Sequence, residues 1–189
     1  MDQPDARTTA PVRDALPLRL HHNAFVVKDH EVNRRFFEDL LGMPLAATWC
    51  EKAFISEVQR EVEFCHTFFA LADGGALAFF QFADAEVAAL SQPTFSPITR
   101  FQHIALKIDA AGYDEIVRRL TAAGVAHRQT DHGYCRSLYV TSPDGLIVEF
   151  TVDPADADRI ATLRRGDAHA ELARWLKGDR RVNNDIRPH

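Results

Sequence analysis

The spacing of apolar residues divides the chain into strands and helices that come in the same order twice. Residues 19–28, RLHHNAFVVK, predict a strand rich in β-branched and aromatic side chains. Asp29 then stands where a helix N-cap belongs, with Val32, Phe36, Leu40 and Leu41 as a stripe at helical spacing and Gly42 and Pro44 as the stop. EFCHTFFALA and ALAFFQF predict two strands joined at Asp73-Gly74-Gly75. Residues 83–99, with Pro93 and Pro97, read as a linker. The order then returns. FQHIALKI (101–108) predicts a strand and Tyr113–Ala123 a helix with Tyr113, Ile116, Val117 and Leu120 on one face. CRSLYVTS and GLIVEFTV flank the turn Pro143-Asp144-Gly145. Residues 154–176 read as helical with a break near Gly166, and the charged chain beyond Lys177 as frayed.

A duplicated βαβββ unit is the economical reading. His22-Asn-Ala-Phe opens the first unit and His103-Ile-Ala-Leu the second. The expected fold is α+β: an N-terminal segment 1–17, a module 18–82, a linker 83–99, a module 100–153 and a helical tail 154–189.

Composition narrows the function. The 189 residues carry 22 Lys and Arg against 27 Asp and Glu, a net charge of −5, which disfavours a nucleic-acid partner because phosphate contacts need a basic face. No apolar run approaches the roughly 18 residues of a membrane span, and MDQPDARTTAPVRD has no leader pattern, so a flexible N-terminus and a cytoplasmic location are expected. Three cysteines at irregular spacing suit reduced, mostly buried thiols.

The candidate chemistry lies in polar residues placed where strands want apolar ones. His22 and His103 occupy matching places in the first strand of each module, Glu149 interrupts Leu146-Ile-Val-Glu-Phe, and Gln81 interrupts Phe79-Phe-Gln-Phe. A carboxylate inside such a run costs several kcal/mol unless it is paired or bound to a metal. Two imidazoles and one carboxylate form the facial triad preferred by non-haem Fe(II), and adding Gln81 gives a four-ligand site instead. His21, next to His22, falls on the opposite strand face. Arg136, in the last hairpin, is a candidate partner for a substrate carboxylate.

The stretches LHHNAFVVKDHEVNRRFFEDLLGMPL, FQHIALKID and YVTSPDGLIVEFT resemble the vicinal oxygen chelate superfamily, which includes glyoxalase I, bleomycin and fosfomycin resistance proteins and type I extradiol dioxygenases. The resemblance implies paired βαβββ modules forming a cup-shaped sheet around a divalent metal held by His22, His103 and Glu149, with Gln81 as a possible fourth ligand. It is strongest to the extradiol branch. Tyr139 stands ten residues before Glu149 and is followed by Thr-Ser-Pro-Asp-Gly, His66 lies on a middle strand of the first module, and His132 precedes the tyrosine.

That likeness implies Fe(II), with Mn(II), Ni(II) or Zn(II) as alternatives, O₂ and a catecholic aromatic substrate. His66, Tyr139 and His132 would be catalytic, and Phe68, Phe79, Trp49 and Arg136 would contact the substrate. It also implies a homodimer. A glyoxalase-type lyase using Gln81, and a drug-binding protein of the bleomycin-resistance kind, are the alternatives.

Overall fold

A computed structural model describes residues 18–91, 102–179 and 181–186. The expected N-terminal segment 1–17 and residues 92–99 of the expected linker lie outside the described residues. The first unit comprises β1 (His22–Val26), α1 (His30–Arg34), β2 (Leu45–Ile55), β3 (Arg60–Ala70) and β4 (Ala76–Phe82). After α2 (Ala85–Leu90) come β5 (His103–Lys107), α3 (Ala110–Ala122), β6 (His127–Asp131), β7 (Arg136–Thr141), β8 (Ile147–Val152) and α4 (Ala157–Leu176).

Each unit builds one four-stranded mixed sheet, in the order β1-β4-β3-β2 and β5-β8-β7-β6. The first strand of each unit pairs parallel with the last, and the remaining pairs are antiparallel. The fold is therefore α+β with two tandem modules, as the repeat predicts.

Asp29 caps α1 by accepting the N–H groups of Glu31 and Val32 at 2.7 and 3.0 Å. The helix then widens into a π-helical stretch over Arg35–Leu40, where Leu41 N–H donates to Phe36 O at 3.1 Å. Widening the turn brings the adjacent Phe36 and Phe37 into the core together. Val32, expected on the apolar stripe, is instead exposed.

One apolar cluster runs through both modules, from Phe36, Phe37 and Leu41 to Tyr113, Ile116 and Leu120 of α3 and on to Leu138, Val140, Val148 and Phe150. Lys28 N–H also reaches across to Asp144 Oδ1 at 3.1 Å. The edge strands β1 and β5 border a cavity of about 380 Å³ lined by Phe25, Val27, Phe79, His103, Ile104 and Leu146, and they form no ladder with each other. The core thus lies on the helix-bearing side of both sheets, and each sheet keeps an opposite, open face.

Two expectations need correction. Part of the expected linker is helical, because Asp84 caps α2 at the Glu86 and Val87 N–H groups. The last helix runs unbroken through Gly166, since one exposed glycine costs only about 1 kcal/mol relative to alanine. Among the described residues, no helix is long and apolar enough to cross a membrane.

Phe37 is fully buried against Phe36, Phe69 and Phe79. Phe37→Ala should lower unfolding free energy by about 3–5 kcal/mol, as read by urea denaturation. Gly166→Ala meets open space and should raise it by up to about 1 kcal/mol in the same measurement.

Candidate functional site

Strand alternation decides which side chains share the open faces. In the second module, Ile104, Leu106, Leu138, Val140, Val148 and Phe150 turn toward the helix. His103, Tyr139 and Glu149 therefore turn the other way. The parallel β5–β8 pairing sets Ala105 beside Glu149, and the antiparallel β7–β8 pairing sets Tyr139 directly opposite it.

His103 Nε2 and Glu149 Oε2 lie 2.8 Å apart, with the carboxylate buried. The Tyr139 ring stands edge-on to His103, at 5.7 Å between centroids. Its hydroxyl is 3.0 Å from His132 Nε2. Burial first, and then the hydrogen bond to Glu149, push the Tyr139 hydroxyl up to about 12, so it stays protonated at neutral pH. Arg128, directly across β6–β7 from Tyr139, lays its guanidinium 4.3 Å from the ring centroid.

His132 sits in the loop after β6. Its backbone N–H donates to Cys135 O at 2.9 Å, and Asn184 Nδ2 donates to its carbonyl at 3.0 Å. Tyr134 stacks on its ring at 5.6 Å.

The open face of the first module carries His22, His66, Phe68 and Phe80. His66 stacks on Phe80 at 3.6 Å, with Phe68 at 4.2 Å and His22 at 6.1 Å between ring centroids. Trp49 pairs across β2–β3 with His66 and is 59% exposed. His66 Nε2 is buried without a hydrogen-bond partner, and burial first, then the nearby His22, hold the ring below the ordinary histidine range. His22 Nδ1 lies 2.7 Å from His21 Nδ1.

Three expected site residues face the helices instead. Gln81 Oε1 accepts the His30 N–H at 2.6 Å, on the side of β4 that also carries the fully packed Phe79. Phe79 sits between Phe25, Phe37 and Phe69. Arg136 shares parity with Leu138 and Val140, and its guanidinium covers the Tyr113 ring at 4.4 Å, with Asp114 at 3.9 Å. Alternation within β4 and β7 accounts for all three. Arg128 and Asn184 carry no motif: one is found only through β6 pairing, the other only through the tail folding back.

His103 and Glu149 offer one imidazole nitrogen and one carboxylate oxygen, donors that suit Fe(II), Mn(II), Ni(II) or Zn(II). Among the described residues of one chain, no three His, Cys, Asp or Glu side chains are placed to hold a metal. The donors of the second module thus fit a divalent cation as part of its shell, and His22 belongs to the other face.

The family model of the glyoxalase/bleomycin resistance protein/dioxygenase superfamily matches residues 19–150. The chain belongs to this superfamily. The match ends before α4 and the segment bearing Asn184.

Solved structures of similar fold include three with low sequence identity. A glyoxylase/bleomycin resistance protein/dioxygenase domain from Frankia sp. EAN1pec has 14% identity and TM-score 0.54, over 75% of this chain and 95% of that one. The fosfomycin resistance protein FosX from Listeria monocytogenes has 19% identity and TM-score 0.51, over 75% and 98%. The oxidase ChaP-H2 has 17% identity and TM-score 0.50, over 74% and 96%. A mutant of the Listeria FosX is described in complex with Mn(II) and 1S,2S-dihydroxypropylphosphonic acid. No curated protein matches the chain.

A histidine with a lowered folded pKa binds fewer protons when folded than when unfolded, so its contribution to stability is present above the ordinary value of 6.5 and is lost as pH falls below it. The thermal midpoint of the metal-free protein should therefore drop between pH 7 and 5, and His66→Gln should flatten that profile. Asn184→Ala should loosen the His132 loop, seen as faster amide exchange at His132–Cys135 with little change in the core.

Proposed function

We propose that the protein is a metal-dependent oxygenase that cleaves the ring of a catecholic aromatic substrate with O₂, in the manner of extradiol dioxygenases. The observation that carries this reading is the Tyr139–His132 hydrogen bond standing beside the His103–Glu149 pair. Fe(II), or Mn(II) in its place, would supply Lewis-acid polarisation of two adjacent substrate oxygens and electron transfer to O₂, whereas Ni(II) or redox-inert Zn(II) would supply the polarisation alone.

The chain's own residues do the rest. The Tyr139 hydroxyl, kept protonated by burial, turns its single proton from Glu149 to a substrate oxygen. His132 Nε2 holds that hydroxyl in place. His66, neutral and with an unpartnered nitrogen, takes or returns a proton at the ring oxygen. Phe68, Phe80 and Trp49 surround His66 with aromatic surface for a flat ring. The glyoxalase-type alternative loses its fourth ligand, because Gln81 is turned to the helix side and bonded to His30.

A second copy of the chain completes the site in this reading. The ring contacts of His22 are with His21, His66 and Phe68 of its own module, while His103 and Glu149 stand together on the open face of the other. Stacking the aromatic face of one copy on the polar face of another buries Trp49 and brings an imidazole to the carboxylate. A homodimer with two shared sites follows. Proteins of this fold include one described with Mn(II) and a dihydroxy compound and one described as an oxidase.

Protein reconstituted with Fe(II) without air should consume O₂ with at least one member of a panel of substituted catechols and form a yellow ring-opened product. Glu149→Ala should abolish both, Tyr139→Phe should lower kcat by about 10²-fold, and Gln81→Ala should leave iron binding intact. No uptake across the panel with iron confirmed bound would overturn the proposal.

A further inference from the structure

Cys50 and Cys65 face each other directly across the β2–β3 pair. Their thiols are close enough to bear on one another's ionisation, and both are free. They open on a surface cavity of about 560 Å³ lined by His30, Cys50, Glu63, Cys65 and Gln81, on the side of the sheet away from His66 and Trp49. Cys50 is exposed and Cys65 half-buried, whereas Cys135 is buried in the other module, paired with Ser137.

Directly opposed residues on antiparallel strands have Cα atoms about 4.5–5.5 Å apart, within the span a disulfide bridges without backbone movement. We propose that Cys50 and Cys65 form a reversible cross-strand disulfide when the protein meets a hydroperoxide. The exposed Cys50 sulfur attacks the O–O bond as its thiolate, becoming a sulfenic acid while the peroxide leaves as water or the matching alcohol. The Cys65 thiol then attacks that sulfur, forming the S–S bond as the S–O bond breaks and the sulfenic hydroxyl leaves as water. The two thiols lose two electrons and two protons, and one hydroperoxide is reduced.

The bond would have a local consequence. Cys50 and Cys65 immediately follow and precede Trp49 and His66, which form the adjacent register pair. Oxidation therefore clamps the hairpin directly behind the aromatic face, fixing the Trp49–His66 pair against slippage. It also closes a loop in the unfolded chain, which stabilises the fold. A dithiol can reach the bond through the cavity and restore both thiols. This inference is independent of the reaction proposed above.

The test treats the full-length metal-free protein with hydrogen peroxide, alkylates free thiols after denaturation, and maps peptides by mass spectrometry without reductant. The expected result is a Cys50–Cys65 linked peptide lighter by two hydrogens, alkylated Cys135, reversal by dithiothreitol and an upward shift of Tm in the oxidised form. Cys65→Ser should remove the link and leave Cys50 to oxidise to sulfinic acid. Three outcomes would overturn the proposal: sulfinic acid at Cys50 of the wild type with Cys65 free, a Cys50–Cys50 bond between copies on a non-reducing gel, or no oxidation of either thiol.

Discussion

Glu149 is a carboxylate only 5% exposed in the middle of β8, and burying its charge costs several kcal/mol unless a cation or donors answer it. Every polar group around it can be understood as part of that answer. His103 is held 2.8 Å away by the parallel β5–β8 pairing, and Tyr139 is set opposite by the antiparallel β7–β8 pairing. Through Tyr139 the constraint extends to His132, to Arg128 and, by way of Asn184, to the chain after α4. A divalent cation is the strongest response to such a carboxylate, which ties the site's chemistry to the sheet topology.

The two modules divide the labour. Their helices share one apolar cluster, so the chain is held together on that side, and the open faces are left for chemistry. One face is polar and built around Glu149, while the other is aromatic and built around His66, with Trp49 left exposed. An aromatic face of that composition, with Trp49 exposed, is suited to meet another surface. In keeping with this division, no three His, Cys, Asp or Glu side chains among the described residues are placed to hold a metal.

The duplicated module was legible because its landmarks are local: capping aspartates, DG turns and a histidine opening each first strand. His103, Glu149 and Tyr139 were legible because they interrupt apolar strands on one parity. Gln81, Phe79 and Arg136 share the opposite parity within their strands, and only strict attention to alternation separates them from Phe80, Tyr139 and the open face. The helix α2 was hidden by its proline-containing surroundings, although Asp84 carries its capping signal. Asn184 could not be read at all, because its partner lies 52 residues earlier and nothing local marks the contact.

The metal site proposed above draws on two faces from two copies of the chain. Co-expressing His22→Ala and Glu149→Ala chains and counting bound Fe(II) per purified dimer tests it most directly. Each variant alone should bind almost no iron, while random pairing should restore about a quarter of the wild-type sites, because half the dimers are mixed and each mixed dimer has one complete site. Iron in the mixture no higher than in either variant alone would rule out a shared site and return all three ligands to a single chain.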